Sequence, residues 1–210
     1  MDQIKRIVAF GCSNTYGQGL PDCDHNINKD SKPSIHAWPS ALGEMLDVPV
    51  ENRAYPGASN KEICSHIVRY DFQEGDLAVI GWTYMERSCI IVNDVIHPLN
   101  GRPWIKQLGL YGKSAADKVY QRHFLTDENV KLESEAYISY AYRYIEKTCN
   151  YIGFKCCLDN YNLRNLSDEI LDIDYFMLLR KHGRCPDNFH PSEKSHQAIA
   201  KKIKKAIKII

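Results

Sequence analysis

The sequence predicts an α/β fold in which helices cover both faces of a doubly wound parallel sheet. Apolar runs at residues 4–10 and 77–82 are typical of strands that are buried on both faces. Segments with helical periodicity lie between the strand candidates, and this alternation is typical of parallel sheets with crossover helices. The 210 residues, 44% of them hydrophobic and 25% charged, suit one globular domain that spans residues 1–210.

The first half of the chain predicts, in order, a strand at residues 4–10, a helix at 38–46, a strand at 48–52, a helix at 60–70 and a strand at 77–82. Pro39 is tolerated in the first turn of a helix. Ser59 and Glu62 have the spacing of a capping box, which places a helix start directly after Ser59. Residues 18–34 are rich in Asp, Asn, Pro and Lys, and they predict a loop beside the end of the first strand.

The second half predicts an insertion at residues 86–127, a helix at 131–151, a strand at 153–158, a loop with a short helix at 159–183 and a helix at 192–210. We expect the insertion to form a wall or lid of a substrate pocket. The last helix carries isoleucines on one stripe and lysines on the opposite one. This pattern predicts that the helix packs against the sheet and keeps its lysines in water.

Composition excludes several classes of function. The net charge of +1 favours neither a nucleic-acid nor a membrane partner. The eight cysteines lack C-x-x-C zinc spacing, so we expect no metal and no other cofactor. No apolar run approaches the roughly 18 residues of a membrane span, and no secretory leader is recognisable. We therefore expect a cytoplasmic protein with reduced cysteines, without excluding assembly into a larger particle or release by lysis.

Ser13 is the candidate nucleophile. The first strand stops at Gly11, and the carboxyl edge of a parallel sheet is where α/β proteins place their ligands. A serine at the turn from this strand into a helix lies beside unpaired backbone N–H groups, which stabilise negative charge on a substrate oxygen. The alternative is an ordinary helix N-cap, the commonest use of serine at such a position.

The candidate base lies near the other end of the chain. Asp187 precedes His190 by three residues, in a turn between two prolines. Such a turn can bring the carboxylate to the imidazole, hold its tautomer and leave the second ring nitrogen to accept a serine proton. Ser13, Asp187 and His190 therefore predict a catalytic triad.

These segments resemble the SGNH hydrolases, also called the GDSL-like esterase/lipase family. The family's first block, Gly-Asp-Ser, is similar to Gly11-Cys12-Ser13, with Cys12 where the family has aspartate. Its last block, Asp-x-x-His-Pro, matches at Asp187, His190 and Pro191. The resemblance implies a three-layer, flavodoxin-like sheet of about five strands, with the insertion after the third strand.

The two middle blocks concern the oxyanion hole. A family glycine that donates its backbone N–H corresponds to Gly57, and the glycine of the Gly-x-Asn-Asp block corresponds to Gly81. Thr83 stands where that block has its asparagine donor. The resemblance thus implies an oxyanion hole of Ser13 and Gly57 with Thr83 in place of the asparagine. Either the Thr83 hydroxyl or Asn60 supplies the missing donor, or the enzyme is slow. For Asn60 the alternative is an ordinary role in the first turn of the helix at 60–70.

The resemblance implies a serine esterase, in a family that acts on acetylated sugars, lipids, thioesters and other small esters. The polar loops and the aromatic candidates favour a small acyl group, acetyl on a carbohydrate. Trp82, Tyr84, Arg87 and Trp104 are the substrate-binding candidates. For Trp82 the alternative is core packing, and for Arg87 it is an ordinary surface position. The expected partner is a small-molecule or glycan ester. Tyrosines run all round the helix at 131–151, so some of them are exposed and could form a homo-oligomer interface.

Two rival functions remain open from the sequence. A carbohydrate-binding or structural module on the same fold, weak or inactive in catalysis, would account for Cys12 and Thr83. Retention of all three triad residues argues against it, because a scaffold does not need them. In the other rival, the nucleophile is Cys12 rather than Ser13.

Overall fold

The structure is a computed structural model, and it describes residues 3–23, 31–85, 87–92, 95–100, 127–156 and 170–207. Its elements, in chain order, are β1 (Arg6–Gly11), α1 (Ser13–Tyr16), α2 (Trp38–Leu46), β2 (Val50–Asn52), α3 (Asn60–Val68), β3 (Asp76–Trp82), β4 (Arg87–Val92), β5 (Val95–Asn100), α4 (Asp127–Ile145), β6 (Asn150–Lys155), β7 (Ile170–Leu171), α5 (Tyr175–His182) and α6 (Glu193–Ile207).

A five-stranded parallel sheet in the order β2-β1-β3-β6-β7 forms the middle layer. Every neighbouring pair in it is parallel, as the βαβ order requires. The register of the two central strands pairs Ile7 with Leu77 and Gly11 with Gly81. Both strands therefore end at the same level of the sheet. The predicted doubly wound, flavodoxin-like α/β class is confirmed.

Alternate residues of β1 supply the cores on the two faces of the sheet. Ile7 and Ala9 pack with residues of α2, α5 and α6, whereas Val8 and Phe10 pack with residues of α3 and α4. All four β1 side chains are at most 1% exposed. Burial of apolar surface on both faces contributes about 25 cal/mol per Å² and holds the three layers together.

Helix α6 packs as its sequence pattern predicts. Ile199, Ile203 and Ile207 are buried against the sheet, and most of the helix's lysines are exposed. Lys204 departs from the pattern, because its ammonium group donates to the carbonyl of Met45 at 2.6 Å, at the end of α2. No helix within the described ranges combines the length and the apolar character needed to cross a bilayer.

The structure corrects the predicted boundary between the fourth helix and the fourth strand of the sheet. Helix α4 ends at Ile145, and β6 already begins at Asn150, so Tyr151 lies in a strand rather than a helix. The amides of Thr148 and Cys149 both turn back to the carbonyl of Ile145, which closes the helix. Pairing of β6 with β3 then outweighs the helical pattern of the sequence.

The insertion after β3 begins as an antiparallel hairpin of β4 and β5, separate from the main sheet. Residues 101–126, which include the substrate-binding candidate Trp104, lie outside the described residues. The predicted role of the insertion as a pocket wall or lid stays a prediction.

An ion pair ties β1 to β3 at the start of both strands. Arg6 donates from Nε to Asp76 Oδ1 at 2.8 Å and from Nη2 to Asp76 Oδ2 at 2.7 Å. Asp76 also accepts from the Gln73 amide at 2.9 Å. Burial alone would raise the pKa of Asp76, but these hydrogen bonds and the positive charge of Arg6 outweigh burial and lower it.

Replacing Asp76 by Asn should destabilise the fold in a pH-dependent way. A carboxylate with a lowered pKa contributes stability above its ordinary pKa of about 3.9, and this contribution is lost as the pH falls. We expect Asp76→Asn to lower the free energy of unfolding by about 2 kcal/mol at pH 7 and by less at pH 3. Urea denaturation at both pH values measures this, with the exposed Glu74→Gln as control. An equal loss at pH 7 and pH 3 would contradict the assignment.

Candidate active site

Ser13 lies at the carboxyl end of β1, as the first residue inside the short helix α1. Cys12 occupies the N-cap position with an extended backbone, and no side-chain hydrogen bond caps the helix. The alternative function of Ser13 as an N-cap is therefore not what the structure shows. Ser13 is 7% exposed, and the first N–H groups of a helix have no partner within the helix.

Two asparagine side chains hold α1 against the strand ends. Asn14 donates to the carbonyl of Cys156 just after β6, at 2.8 Å, and Asn52 at the end of β2 donates to the carbonyl of Thr15 at 2.9 Å. Neither asparagine had a predicted role. The signal was an amide side chain directly after or at the end of a strand, where it can reach across the sheet edge.

Glycines at the ends of β1 and β3 make room for α1. A Cβ atom at Gly11 would lie 2.2 Å from Thr15 Oγ1, and one at Gly81 would lie 2.6 Å from the same atom. Thr15 is completely buried, so its side chain has nowhere to move without disturbing the core. Only glycine therefore lets the Ser13 helix lie this close to both central strands.

Asp187 and His190 lie together in a compact turn. The Asn188 amide donates to the carbonyl of Cys185 at 2.9 Å, and the Cys185 amide donates to the carbonyl of His190 at 2.8 Å. Asn188 adopts a φ of 59°, which asparagine tolerates better than most residues. This turn brings His190 Nδ1 to within 2.5 Å of Asp187 Oδ2.

The contact determines which ring nitrogen of His190 faces the Asp187 carboxylate. An ionised carboxylate only accepts, so His190 carries its hydrogen on Nδ1 and presents Nε2 as the proton acceptor. Burial alone would raise the pKa of Asp187. The hydrogen bonds from the ring and backbone of His190 and from the Phe189 amide outweigh it and lower that pKa. Asp187 thus holds the imidazole of His190 by Nδ1, the arrangement in which Nε2 can act as a base.

The two ends of the chain pack against each other at this edge of the sheet. Leu20, four residues after α1, forms a buried cluster with Ala37 and Cys185. The Trp38 amide donates to Nδ1 of the buried His196 at 3.0 Å, which ties α6 to the start of α2. These contacts place the Asp187 turn near the segment that follows α1. The hydrogen bond between Ser13 and His190 itself stays a prediction.

Gly57 lies in a turn whose outer side is open. The Ala58 amide donates to the Tyr55 carbonyl at 3.2 Å, and Gly57 has a φ of 82°. Proline followed by a glycine with positive φ is typical of a type II turn. A Cβ atom at Gly57 would meet no atom within 4 Å. The space beside the Gly57 α-carbon is therefore open.

Asn60 does not serve as the substitute oxyanion donor. Its side chain is completely buried, accepts from the Thr83 amide at 2.9 Å and donates to the Thr83 carbonyl at 3.3 Å. The amide group is thus used to hold the segment after β3. Thr83 is also completely buried, and its hydroxyl oxygen accepts from Arg87 Nη1 at 3.0 Å. The Thr83 hydroxyl was predicted to contact the substrate directly. In this structure it is buried and bound to Arg87, so it is not accessible to a substrate.

The substrate-binding candidates divide into a core residue and a pair beside the cleft. Trp82 is completely buried and donates to the Tyr142 hydroxyl at 2.6 Å, so the prediction of a substrate platform is wrong for it. Tyr84 and Arg87 are partly exposed, and the guanidinium of Arg87 lies 5.0 Å from the centre of the Tyr84 ring.

A groove of about 870 Å³ lies between α5 and α6, away from the predicted triad. It is lined mainly by lysines and by apolar parts of the two helices, and none of the predicted catalytic side chains contributes to it. Across the part of the chain that the structure describes, no three His, Cys, Asp or Glu side chains are grouped to hold a metal ion.

No family profile matches the sequence, and a search of curated proteins finds no similar sequence. Solved structures do match. Phospholipase A1 from Streptomyces albidoflavus has a TM-score of 0.57 at 11% identity, over 96% of this chain and 99% of that one. An extracellular lipase from Streptomyces rimosus has a TM-score of 0.53 at 13% identity, over 96% and 99%. A carbohydrate esterase has a TM-score of 0.55 at 12% identity, over 100% and 66%.

The role of Asn60 predicts a stability effect. Replacement by Ala leaves the buried Thr83 amide without its acceptor, which we expect to lower the free energy of unfolding by about 1–3 kcal/mol. Urea denaturation measures this against Asn150→Ala, a change at an exposed asparagine with an expected effect within about 0.5 kcal/mol. Equal midpoints for the two variants would show that the contact contributes nothing.

Proposed function

From the SGNH hydrolase fold that this chain shares with GDSL-like lipases and esterases, we propose that the protein is a serine ester hydrolase. The observation that carries the proposal is the hydrogen bond between Asp187 and His190, formed within one turn. It directs Nδ1 of the imidazole to the carboxylate, the orientation in which Nε2 can accept a proton from serine.

In the proposed mechanism, the Ser13 hydroxyl attacks the ester carbonyl while His190 Nε2 accepts its proton. Asp187 holds the ring and stabilises the imidazolium that forms. The imidazolium then protonates the leaving alcohol, and an acyl-enzyme on Ser13 remains. Water attacks this intermediate, again with His190 as base, and releases the acid.

Backbone N–H groups stabilise the oxyanion in this proposal. The amide of Ser13 lies at the start of α1, where the orientation of the helix favours negative charge. The amide of Gly57 belongs to the turn whose outer side is open. Two such donors, fixed before the substrate arrives, are typical of acyl-transfer sites, and each is worth about 3 kcal/mol.

For the substrate, we propose a small acyl ester, with acetyl groups on carbohydrates as the first class to test. Tyr84 and Arg87 offer a partly exposed aromatic ring and a hydrogen-bond donor for a polar alcohol. A structural neighbour is a carbohydrate esterase, which supports this order of testing.

The second candidate function is a carbohydrate-binding module with little or no turnover. The active site of the neighbouring carbohydrate esterase displays divergent catalytic and non-catalytic binding functions, so both activities occur on one site of that protein. Thr83 and Cys12, which depart from the family pattern, are the residues of this chain that favour the second candidate.

Activity measurements with p-nitrophenyl acetate and labelling with a fluorophosphonate test the proposed triad. We expect Ser13→Ala and His190→Ala to lose labelling and to lower kcat by about 10³-fold or more, and Asp187→Asn to lower it by up to about 10⁴-fold. Ser139→Ala, on helix α4, is the matched serine control and should keep full activity.

The outcomes separate the candidates. A wild-type protein as inert as Ser13→Ala, while acetylated oligosaccharides still bind to it, favours the binding module. Equal activity of wild type and Ser13→Ala rules out Ser13 as the nucleophile. Cys12 is completely buried, and Cys12→Ala should label like wild type, because the proposed nucleophile is the next residue.

A further inference from the structure

Thr83 is too short to do what an asparagine does at its position. The amide nitrogen of asparagine lies one bond farther along the side chain than a threonine hydroxyl. In this structure a nitrogen from another residue lies next to the Thr83 hydroxyl, because Arg87 Nη1 donates to Thr83 Oγ1 at 3.0 Å. The same Nη1 lies 3.5 Å from the carbonyl of Ala58, the residue that follows Gly57. The guanidinium thus joins the Gly57 turn to the end of β3.

Contacts on two sides hold the guanidinium in this position. The ring of Tyr84 lies 5.0 Å from it, a distance at which a cation and an aromatic ring attract. The Arg87 amide donates to the Tyr84 carbonyl at 3.2 Å and turns the backbone back towards the end of β3. Among the described residues, the contacts with Thr83 and Ala58 engage only Nη1. A guanidinium carries N–H donors on all three of its nitrogens, which suits a ligand oxygen.

The charge at this position also suits an anion. Across the described ranges, Arg87 forms no ion pair with a carboxylate. Burial raises the pKa of the nearby Glu62 carboxyl to about 7, although the Ser59 backbone and the positive charge of Arg87 lower it. Arg87 is only partly buried, and Thr83, to which it donates, directly follows β3, so the guanidinium lies near the sheet edge that carries Ser13.

We propose that Arg87 replaces the asparagine amide as the side-chain donor of the oxyanion hole. The inference rests on the proposed ester hydrolysis. As the bond from Ser13 Oγ to the carbonyl carbon forms, the electron pair of the carbonyl bond moves to its oxygen and the Ser13 proton moves to His190. Arg87 donates hydrogen bonds to this oxyanion beside the amides of Ser13 and Gly57. Thr83 acts as a positioning residue that holds the guanidinium.

The test compares Arg87→Ala, Arg87→Lys and the double variant Thr83→Asn/Arg87→Ala with wild type on p-nitrophenyl acetate. We expect Arg87→Ala to lower kcat by about 10²–10³-fold with little change in KM, because the oxyanion exists only in the transition state. The kcat of Arg87→Lys should lie between those of Arg87→Ala and wild type. The double variant restores an amide donor and should regain at least about tenfold of the lost kcat.

Two further measurements keep the outcome interpretable. Arg143→Ala, a change at an exposed arginine on α4, is the matched control and should leave kcat and KM unchanged. Thermal unfolding shows whether each variant is folded. If Arg87→Ala does not fold, Arg87→Lys and the double variant decide, and a double variant no faster than a folded Arg87→Leu overturns the inference.

Other results overturn the inference or the proposed function separately. An active wild type, an inert Ser13→Ala and a fully active Arg87→Ala overturn the role of Arg87 alone. A rise in KM only for esters of anionic alcohols, with kcat on the neutral ester unchanged, assigns Arg87 to binding the substrate instead. A wild-type protein without any esterase activity removes the proposed function, and the role of Arg87 is then rejected with it.

Discussion

The close approach of α1 to the ends of β1 and β3 is the constraint on which the candidate site depends. Thr15 packs over Gly11 and Gly81, at distances that leave no room for a Cβ atom on either glycine. The side chain of Asn14 then reaches the carbonyl of Cys156. Because these contacts bind α1 to three parts of the sheet edge, the hydroxyl of Ser13 has little freedom to move, and preorganisation of this kind lowers the cost of reaching a reactive geometry.

The positions of the proposed acid and base depend less on the fold than the position of Ser13 does. Cys185 closes its turn through the carbonyl of His190, and Asp187 reaches His190 Nδ1 within that turn. Their pairing is therefore largely local, and it depends on turn chemistry rather than on the sheet. What the fold adds is the location of the turn, through the burial of Cys185 with Leu20. Long-range packing thus positions the proposed nucleophile, whereas a short-range turn positions its proposed base.

The segment after β3 joins stability to chemistry. Asn60 uses its side-chain amide to hold the backbone of Thr83, and Arg87 uses the Thr83 hydroxyl as an anchor. One buried asparagine therefore supports the position of a guanidinium that it does not touch. In such an arrangement a structural residue and a proposed catalytic residue are coupled, because a shift of Thr83 would move Arg87 as well.

The amino-acid sequence by itself determined the α/β class and the Asp187–His190 pairing. Both depend on local properties, namely apolar runs and turn residues a few positions apart. It misplaced the end of α4, because the pairing of Tyr151 in β6 is decided by the neighbouring strand. It also left Trp82 open between a substrate platform and core packing, since nothing in the sequence shows that the Tyr142 hydroxyl lies beside the indole.

Only the tertiary structure decided what Asn60, Thr83 and Arg87 do. The three residues belong to a helix start, a strand end and a hairpin, and their hydrogen bonds join segments more than twenty residues apart in the case of Asn60 and Thr83. A side chain's choice among such partners depends on which backbone groups lack a partner after the elements have packed. That information exists in the packed molecule and not in the order of the residues.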